Sequence, residues 1–372
     1  MSSGWCKRGV AGEIPRKKLR RFAFALILFC CFFVPLVSAQ DQPLTSPHEP
    51  ELRLCSQNLF NYGAEERKKK RKKGAREKQR DFLVARFLAA DCDVIAVQEV
   101  IGETEREAKT ILGSLADSLS ARSERKFVPY VTSGRSDRIR NGFLIAESKV
   151  RVLEVEALRY EHLPKMSLLG PGERFDRPPL ILTLQVPGRG SAEPRTFVVA
   201  SFHFKSKAKS FQDPARLSFE LVRMQMAEKI REYVSAKAAT LGSGATPILL
   251  GDTNSEPGSA AGAILTGRLR LSQFTEQSGC RVTELLEPAC NEQVPAEASF
   301  AGLLATSVRE GENRERVHTY RYRGTSSIID DIFIPTTALS LVRGPAKRIV
   351  AGTNGEYFKG SDHLLVWAEV NW

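Results

Sequence analysis

Residues able to do chemistry fall, one after another along this chain, at the ends of short apolar runs. Asn58 follows Leu52-Arg53-Leu54-Cys55-Ser56-Gln57, and Glu99 follows Asp93-Val94-Ile95-Ala96-Val97-Gln98. His203 follows Val198-Val199-Ala200-Ser201-Phe202, and Asp252 and Asn254 follow Ile248-Leu249-Leu250-Gly251. Asp330 opens Ile332-Phe333-Ile334, and Asp362 and His363 precede Leu364-Leu365-Val366. Runs this short and this apolar read as buried strands. A chain that places its polar groups at the ends of such strands brings them to one rim of a buried sheet.

The rest of the pattern supplies the remaining layers. Leu83/Phe87 and Val84/Leu88 repeat at helical spacing from Phe82 onward, and a second helix is expected over about Arg216 to Ala236. Further strands are expected at Gly142–Ala146, Leu180–Val186, Thr196–Phe202, Pro247–Leu250, Ile328–Ile334 and Leu364–Val370. Strands alternate with helices early and dominate late, which predicts an α/β protein with sheet packed on sheet. Residues 256–318 are the least patterned and are expected to hold a helix and loops beside the site. There is no internal repeat, and no break in composition divides residues 51–372.

Residues 1–39 read as a signal peptide for secretion. Lys7, Arg8, Arg16, Lys17, Lys18, Arg20 and Arg21 stand against one acid, Glu13; an apolar run from Phe22 to Val37 then closes on Val37-Ser38-Ala39. The run is short for a span of about 20 residues, so cleavage after Ala39 is expected in preference to an uncleaved anchor. Gln40 to Pro50 is polar and proline-bearing and reads as a linker. The formal net charge is +12; loss of seven basic residues and one acid with the signal leaves +6, only mildly basic. The mature protein is expected to be secreted or periplasmic, a monomer, and without stable membrane association. Four cysteines remain in it: Cys55 and Cys92, inside apolar runs, read as buried thiols, while Cys280 and Cys290 can close as a disulfide. No Cys or His spacing suggests structural zinc.

The rim inventory suits phosphoryl chemistry. A hard cation, Mg²⁺ first and Mn²⁺ or Ca²⁺ as alternatives, takes oxygen ligands of the kind Asn58, Glu99 and Asp362 offer. A histidine steadied by a carboxylate can activate water, and Asp330 suits that role for His363. Asp252 and Asn254, two apart on one turn, can both address the attacking water or the oxygens on the metal side. Each residue alone has an ordinary explanation, as a helix cap, a turn or a core histidine; the conjunction, in this order, carries the reading.

Ser56-Gln57-Asn58-Leu59-Phe60, Val97-Gln98-Glu99-Val100, Arg177-Pro178-Pro179-Leu180, Ser201-Phe202-His203, Leu250-Gly251-Asp252-Thr253-Asn254, Ile329-Asp330-Asp331-Ile332-Phe333 and Ser361-Asp362-His363 together resemble the endonuclease/exonuclease/phosphatase superfamily, and within it the deoxyribonuclease I-like group and its secreted bacterial relatives. The resemblance implies a four-layer α/β/β/α sandwich with two mixed sheets face to face. It implies Asn58, Glu99 and Asp362 as metal ligands, Asp252 and Asn254 as the pair orienting the nucleophile, His203 and His363 flanking the scissile phosphate, Asp330 as partner of His363, and Arg177 as a phosphate contact. One departure stands out. The glutamate that the deoxyribonucleases place beside the first histidine has no counterpart in Ser136–Gly142, where Asp137 is the one acid.

Two further segments bear on substrate. Residues 68–73 are six consecutive lysines and arginines, able to grip a nucleic-acid backbone and equally able to be a solvated loop. In Thr319-Tyr320-Arg321-Tyr322-Arg323, the tyrosines can stack on bases and the arginines can meet phosphates; an amphipathic strand with wet arginines is the plainer reading. The expected activity is a metal-dependent phosphodiesterase, a nuclease acting on DNA or RNA. A phosphatase or a sphingomyelinase-like phospholipid phosphodiesterase is the alternative on the same scaffold, and a catalytically silent binding module the third reading.

Overall fold

The computed structural model describes residues 52–64, 74–132, 138–166, 173–188, 193–207, 217–275, 279–291, 298–305, 318–322, 324–341, 347–349 and 360–370. The signal segment, the linker, the basic run at 68–73, Asp137 and Arg323 lie outside them. In chain order, β1 (Leu52–Tyr62), α1 (Ala75–Ala90), β2 (Val94–Ile101), α2 (Glu105–Ser120), β3 (Phe127–Val131) and β4 (Ile139–Ala146) form the first half. The second half runs β5 (Arg151–Ala157), β6 (Leu180–Val186), β7 (Arg195–His203), α3 (Leu217–Thr240), β8 (Ala245–Asp252) and the short α4 (Ala260–Leu265). It continues through β9 (Cys280–Val282), β10 (Pro288–Cys290), β11 (Phe300–Gly302), β12 (Tyr320–Tyr322), β13 (Thr325–Ser327), β14 (Asp330–Pro335), β15 (Lys347–Ile349) and β16 (Leu365–Val370).

These strands make two six-stranded sheets, ordered β15-β16-β1-β2-β4-β3 and β11-β14-β8-β7-β6-β5. Each has one parallel pair at its centre, β1/β2 and β7/β8, and antiparallel neighbours on both sides. A parallel pair needs a long crossover, which α1 provides in one sheet and α3 in the other. The inner faces meet in a core built from both sheets, with Leu54, Ala96, Phe143 and Val366 against Leu182, Phe197, Val199 and Leu250. The outer face of the first sheet packs on α1 and α2 through Leu83, Phe87, Ile111 and Leu115. The outer face of the second packs on α3 and α4 through Met224, Ile230 and Ile264. Both faces of the central strands are therefore buried, which is why their sequences read as continuous apolar runs. The architecture is the expected four-layer sandwich.

This topology sets the rim. The carboxyl ends of the parallel pairs deliver Asn58, Glu99, His203 and Asp252. Strands β14 and β16 run antiparallel to β8 and β1, so their amino ends bring Asp330 and His363 to the same edge.

The cysteines correct one expectation. Cys55 and Cys92 are not free thiols; they are disulfide-bonded, as are Cys280 and Cys290. Cys55 lies in β1 beside Ile95 of β2, and Cys92 lies two residues before β2. The parallel pairing brings together two sulfurs 37 residues apart, a proximity that local spacing does not reveal.

Candidate active site

Backbone geometry is unusual where the rim residues sit. Register shifts interrupt β1 between Asn58 and Tyr62, and β2 between Val97 and Val100, local irregularities that re-aim side chains. Phe60, Asn61, Glu99 and Asn254 all have left-handed backbones, with φ of 54°, 53°, 62° and 49°. Such a conformation costs a non-glycine residue roughly 1–2 kcal/mol and persists where surroundings enforce it. Here the enforcement comes from the site itself. Asn58 Oδ1 accepts the Phe60 amide at 2.9 Å, Glu99 Oε2 accepts the Asn61 amide at 2.8 Å, and Asp252 Oδ1 accepts the Asn254 amide at 2.7 Å. Gly251 lets β8 close on β7 beside this point: a Cβ there would stand 2.1 Å from the Phe202 carbonyl oxygen.

Asp252 is the hub. Its Oδ2 accepts Asn58 Nδ2 at 3.1 Å and lies 3.4 Å from His203 Nε2 and 3.9 Å from His363 Nε2. Burial, then the neighbouring Asp330 charge, pushes its carboxyl up to about 7, against the pull of His363 and its hydrogen bonds.

The two histidines have opposite electrostatic settings. His363 donates Nδ1–H to Asp330 Oδ2 at 2.8 Å. Burial disfavours its charge, but Asp330, Asp252 and Asp362 together outweigh burial and hold the imidazole up to about 10. His203 accepts a hydrogen bond at Nε2 from Arg177 Nη1 at 2.7 Å. A guanidinium only donates, so Nε2 carries the lone pair and Nδ1 the proton. Burial, then the positive charges of Arg177 and His363, holds His203 well below the ordinary range, so it is neutral. His203 Nδ1 has no hydrogen-bond partner among the described residues. The missing glutamate is thus not replaced there by a described side chain. Asn141 of β4 takes a different part, unforeseen from sequence: its Nδ2 donates to the Arg177 and Pro178 carbonyls and holds the segment that carries Arg177.

Glu99 Oε1 accepts Asn58 Nδ2 at 3.2 Å. Asp362 is pushed up to about 6 by burial and then, against the pull of His363, by the Glu99 and Asp330 charges, and its Oδ1 is buried without a hydrogen-bond partner. A carboxylate pushed up by burial and by a second carboxylate, with an oxygen that makes no hydrogen bond, is the chemistry a hard cation relieves, so Asn58, Glu99 and Asp362 fit a divalent metal. Asp252, Asp330 and His363 also gather, with their ligand atoms within 4.8 Å of one another. Their imidazole is protonated and already bonded to Asp330, which fits proton handling better than ligation.

Asp330, not Asp331, faces His363. Asp331 turns to the other side of β14 and accepts the amides of Leu304, Ala305 and Ile332. The Tyr320 ring lies 4.7 Å from the His363 ring, and Tyr322 stacks on Tyr320 at 6.4 Å with an interplanar angle of 6°. Alternation along β12 sends Arg321 to the opposite, exposed face, so the structure does not bring it to the cluster as it brings Tyr320. A cleft lies behind the Asp252–Asn254 turn, against Thr253, Phe300 and Asp331, and shares none of the hub's acids or imidazoles.

Residues 55–363 match the model of the Endonuclease/Exonuclease/phosphatase family. No curated protein matches the chain significantly. Among solved structures, ANGEL2, a 2′,3′-cyclic phosphatase in complex with adenosine-2′,3′-vanadate, superposes with a TM-score of 0.52 at 18% identity over 85% of this chain and 94% of that one. The human Nocturnin catalytic domain with bound sulfate gives 0.49 at 13% identity, over 85% and 93%. A Bacteroides thetaiotaomicron endonuclease/exonuclease/phosphatase family protein gives 0.48 at 15%, over 86% and 98%. At these identities the likeness is one of fold.

Proposed function

The chain belongs to the endonuclease/exonuclease/phosphatase family, and from that premise we propose that it is an exported, divalent-metal-dependent nuclease that hydrolyses phosphodiester bonds in DNA or RNA. The observation that carries the reading is the hub: one buried carboxylate, Asp252, standing between a neutral and a protonated imidazole. Titratable groups pushed apart in this way divide acid from base work.

Asp252, poised near 7, takes the proton of the attacking water as the water oxygen bonds to phosphorus. Asn254 spends its amide N–H on Asp252 Oδ1 and its Nδ2 on the Phe204 carbonyl, so it fixes the base in place. His363, protonated and steered by Asp330, directs Nε2–H toward the leaving oxygen, which gains charge as its bond to phosphorus breaks and departs with that proton. Arg177, beside His203, lines the same space with a guanidinium. Asn58, Glu99 and Asp362 would hold the cation, Mg²⁺ in preference to Mn²⁺ or Ca²⁺. Its chemistry is to offset negative charge on the phosphate and leaving oxygens.

Export rests on the signal-like segment and is supported by the pairing of all four cysteines beyond it. Exported protein should begin at Gln40 by mass spectrometry; an intact Met1 in a membrane fraction would point to an anchor. The activity test offers the purified 40–372 chain plasmid DNA, RNA, sphingomyelin and a generic phosphodiester, with and without Mg²⁺. Metal-dependent cleavage of DNA or RNA, abolished by EDTA, is expected. Release of phosphocholine with nucleic acids left intact would overturn the nuclease in favour of a lipid phosphodiesterase.

A further inference from the structure

Glu220 and Arg223 form an ion pair on α3 with no exposed side-chain surface, Arg223 Nη2 lying 2.7 Å and Nε 2.9 Å from Glu220 Oε2. Neither residue belongs to the rim, yet their remaining bonds reach the two segments that carry His203 and Asp252 to it. Glu220 Oε2 also accepts the Ser255 hydroxyl at 2.9 Å, the residue directly after Asn254. Glu220 Oε1 accepts the Ala261 amide at 2.8 Å, at the start of α4 where the chain leaves that turn. Arg223 Nη1 donates to the Lys205 carbonyl at 2.9 Å, two residues after His203. The segments so gripped are themselves cross-bonded: the Phe204 amide donates to the Asp252 carbonyl at 2.9 Å, and Asn254 Nδ2 donates to the Phe204 carbonyl at 3.2 Å.

Stability alone is a weak reason for such a pair. Two charges withdrawn from water can often be replaced by apolar side chains of similar volume at no cost, whereas removal of one partner strands the other. What apolar side chains cannot supply is directional bonds to a hydroxyl, an amide and a carbonyl spread over two segments. Asn254 also needs restraint, because its left-handed backbone is intrinsically unfavourable.

We infer that Glu220 and Arg223 are positioning residues that lock the His203 and Asp252 turns in register, so that Asp252 and His203 present a fixed geometry to the phosphate. The inference rests on the hydrolytic reading above for its effect on rate, and on geometry alone for its effect on the turns. A misplacement of about 1 Å at reacting groups can lower a rate about 10²-fold.

The test compares wild type with the double replacement Glu220→Leu/Arg223→Met and with Ser255→Ala, which keeps the ion pair and removes only the tether to the turn. Melting temperature, kcat and KM are measured with Mg²⁺, together with hydrogen–deuterium exchange of the Asn254 and Phe204 amides. For the double variant, which strands the Ser255 hydroxyl, the Ala261 amide and the Lys205 carbonyl, the expected result is a lowered melting temperature, kcat lowered about 10- to 100-fold with KM little changed, and faster exchange at both amides. Ser255→Ala should move kcat and exchange in the same direction by a smaller factor. Should the double variant fail to fold, Ser255→Ala alone decides. Wild-type exchange and wild-type kcat in the variants that fold would overturn the inference. Should wild type itself cleave no phosphodiester, the hydrolytic reading fails, and the exchange data still decide whether the pair holds the turns.

Discussion

Nδ1 of His363 sits 2.8 Å from Oδ2 of Asp330, and both side chains are buried. The pair keeps the imidazole protonated up to about 10, while Asp252 next to it ionises near 7. Hydrolysis should therefore rise with pH through about 7, as Asp252 becomes able to accept a proton, and fall only near 10, as His363 loses its own. Asp330→Asn removes the negative charge that favours the imidazolium, so the alkaline limb should move to lower pH and kcat should fall about 10²-fold or more. The stability sign follows from the same shift: the ion pair contributes fully below the ordinary imidazole value of 6.5 and is lost as pH rises through about 10. Asp330→Asn should then lower the melting temperature more at pH 6 than at pH 10.5. An unmoved alkaline limb in a kcat/KM profile would detach His363 from the reaction.

Glu99 and His363 should fail in different ways. Glu99→Gln replaces a charged oxygen donor with a neutral one, so the variant should need more Mg²⁺ and recover part of its activity when metal is raised. His363→Ala removes a charge-stabilising donor that added metal cannot replace, and its loss of about 10²–10⁴-fold should persist at all metal concentrations. Identical metal titrations of the two variants would show that the division of roles is wrong.

The sequence was most legible where one physical demand dominated. The expected strand Leu180–Val186 matches β6 to the residue, because a buried apolar strand lies between Pro179 and Pro187. The rim residues were legible because strand ends must carry the polar groups that the core excludes. The apolar run ends the first strand at Gln57, whereas β1 runs to Tyr62; residue preference tolerates a left-handed Asn61 but does not announce a left-handed Phe60. The helical spacing begins at Phe82, whereas α1 starts at Ala75, because its first two turns carry few apolar residues and Gln79 buries an amide on the Leu59 carbonyl. The strand expected over Ile328–Ile334 is β14, which starts two residues later at Asp330 and runs to Pro335, because Ile328 and Ile329 form the link from β13. Bonds between distant segments were invisible altogether: Cys55–Cys92, Arg177–His203 and the links from Glu220 to Ser255 and Ala261 depend on tertiary proximity.

The disulfides make a stability prediction of their own. Cys55–Cys92 closes a loop of 37 residues and Cys280–Cys290 one of 10. Loop-closure entropy gives about 4 kcal/mol for the first and about 3 kcal/mol for the second. Cys55→Ala/Cys92→Ala should therefore lower the unfolding free energy more than Cys280→Ala/Cys290→Ala. Because the first bridge lies in β1 three residues before Asn58, its loss should also raise the Mg²⁺ concentration needed for half-maximal activity. Equal denaturation midpoints for oxidised wild type and the Cys55→Ala/Cys92→Ala variant would remove the bridge as a stabilising element.

Substrate charge gives the last prediction. A nucleic-acid strand is a dense polyanion, and each phosphate that a protein neutralises releases condensed counterions, so log affinity falls against log salt by roughly 0.9 per neutralised phosphate on duplex DNA and roughly 0.7 on single strands. A single head-group ester releases few ions and should give a shallow slope. The mature chain's charge of +6 is too small to impose a steep slope by itself, so such a slope must come from local clusters, of which residues 68–73 are the densest. Binding of a DNA duplex to His363→Ala across a salt series should show a steep slope, and changing all six residues of the run to serine should flatten it by several phosphate equivalents while affinity at low salt drops. Arg321→Ser, on the face of β12 turned away from Tyr320, should leave the slope nearly unchanged. Equal slopes with and without the basic run would assign its charges to solvent, and no DNA affinity at low salt would remove nucleic acid as the substrate class.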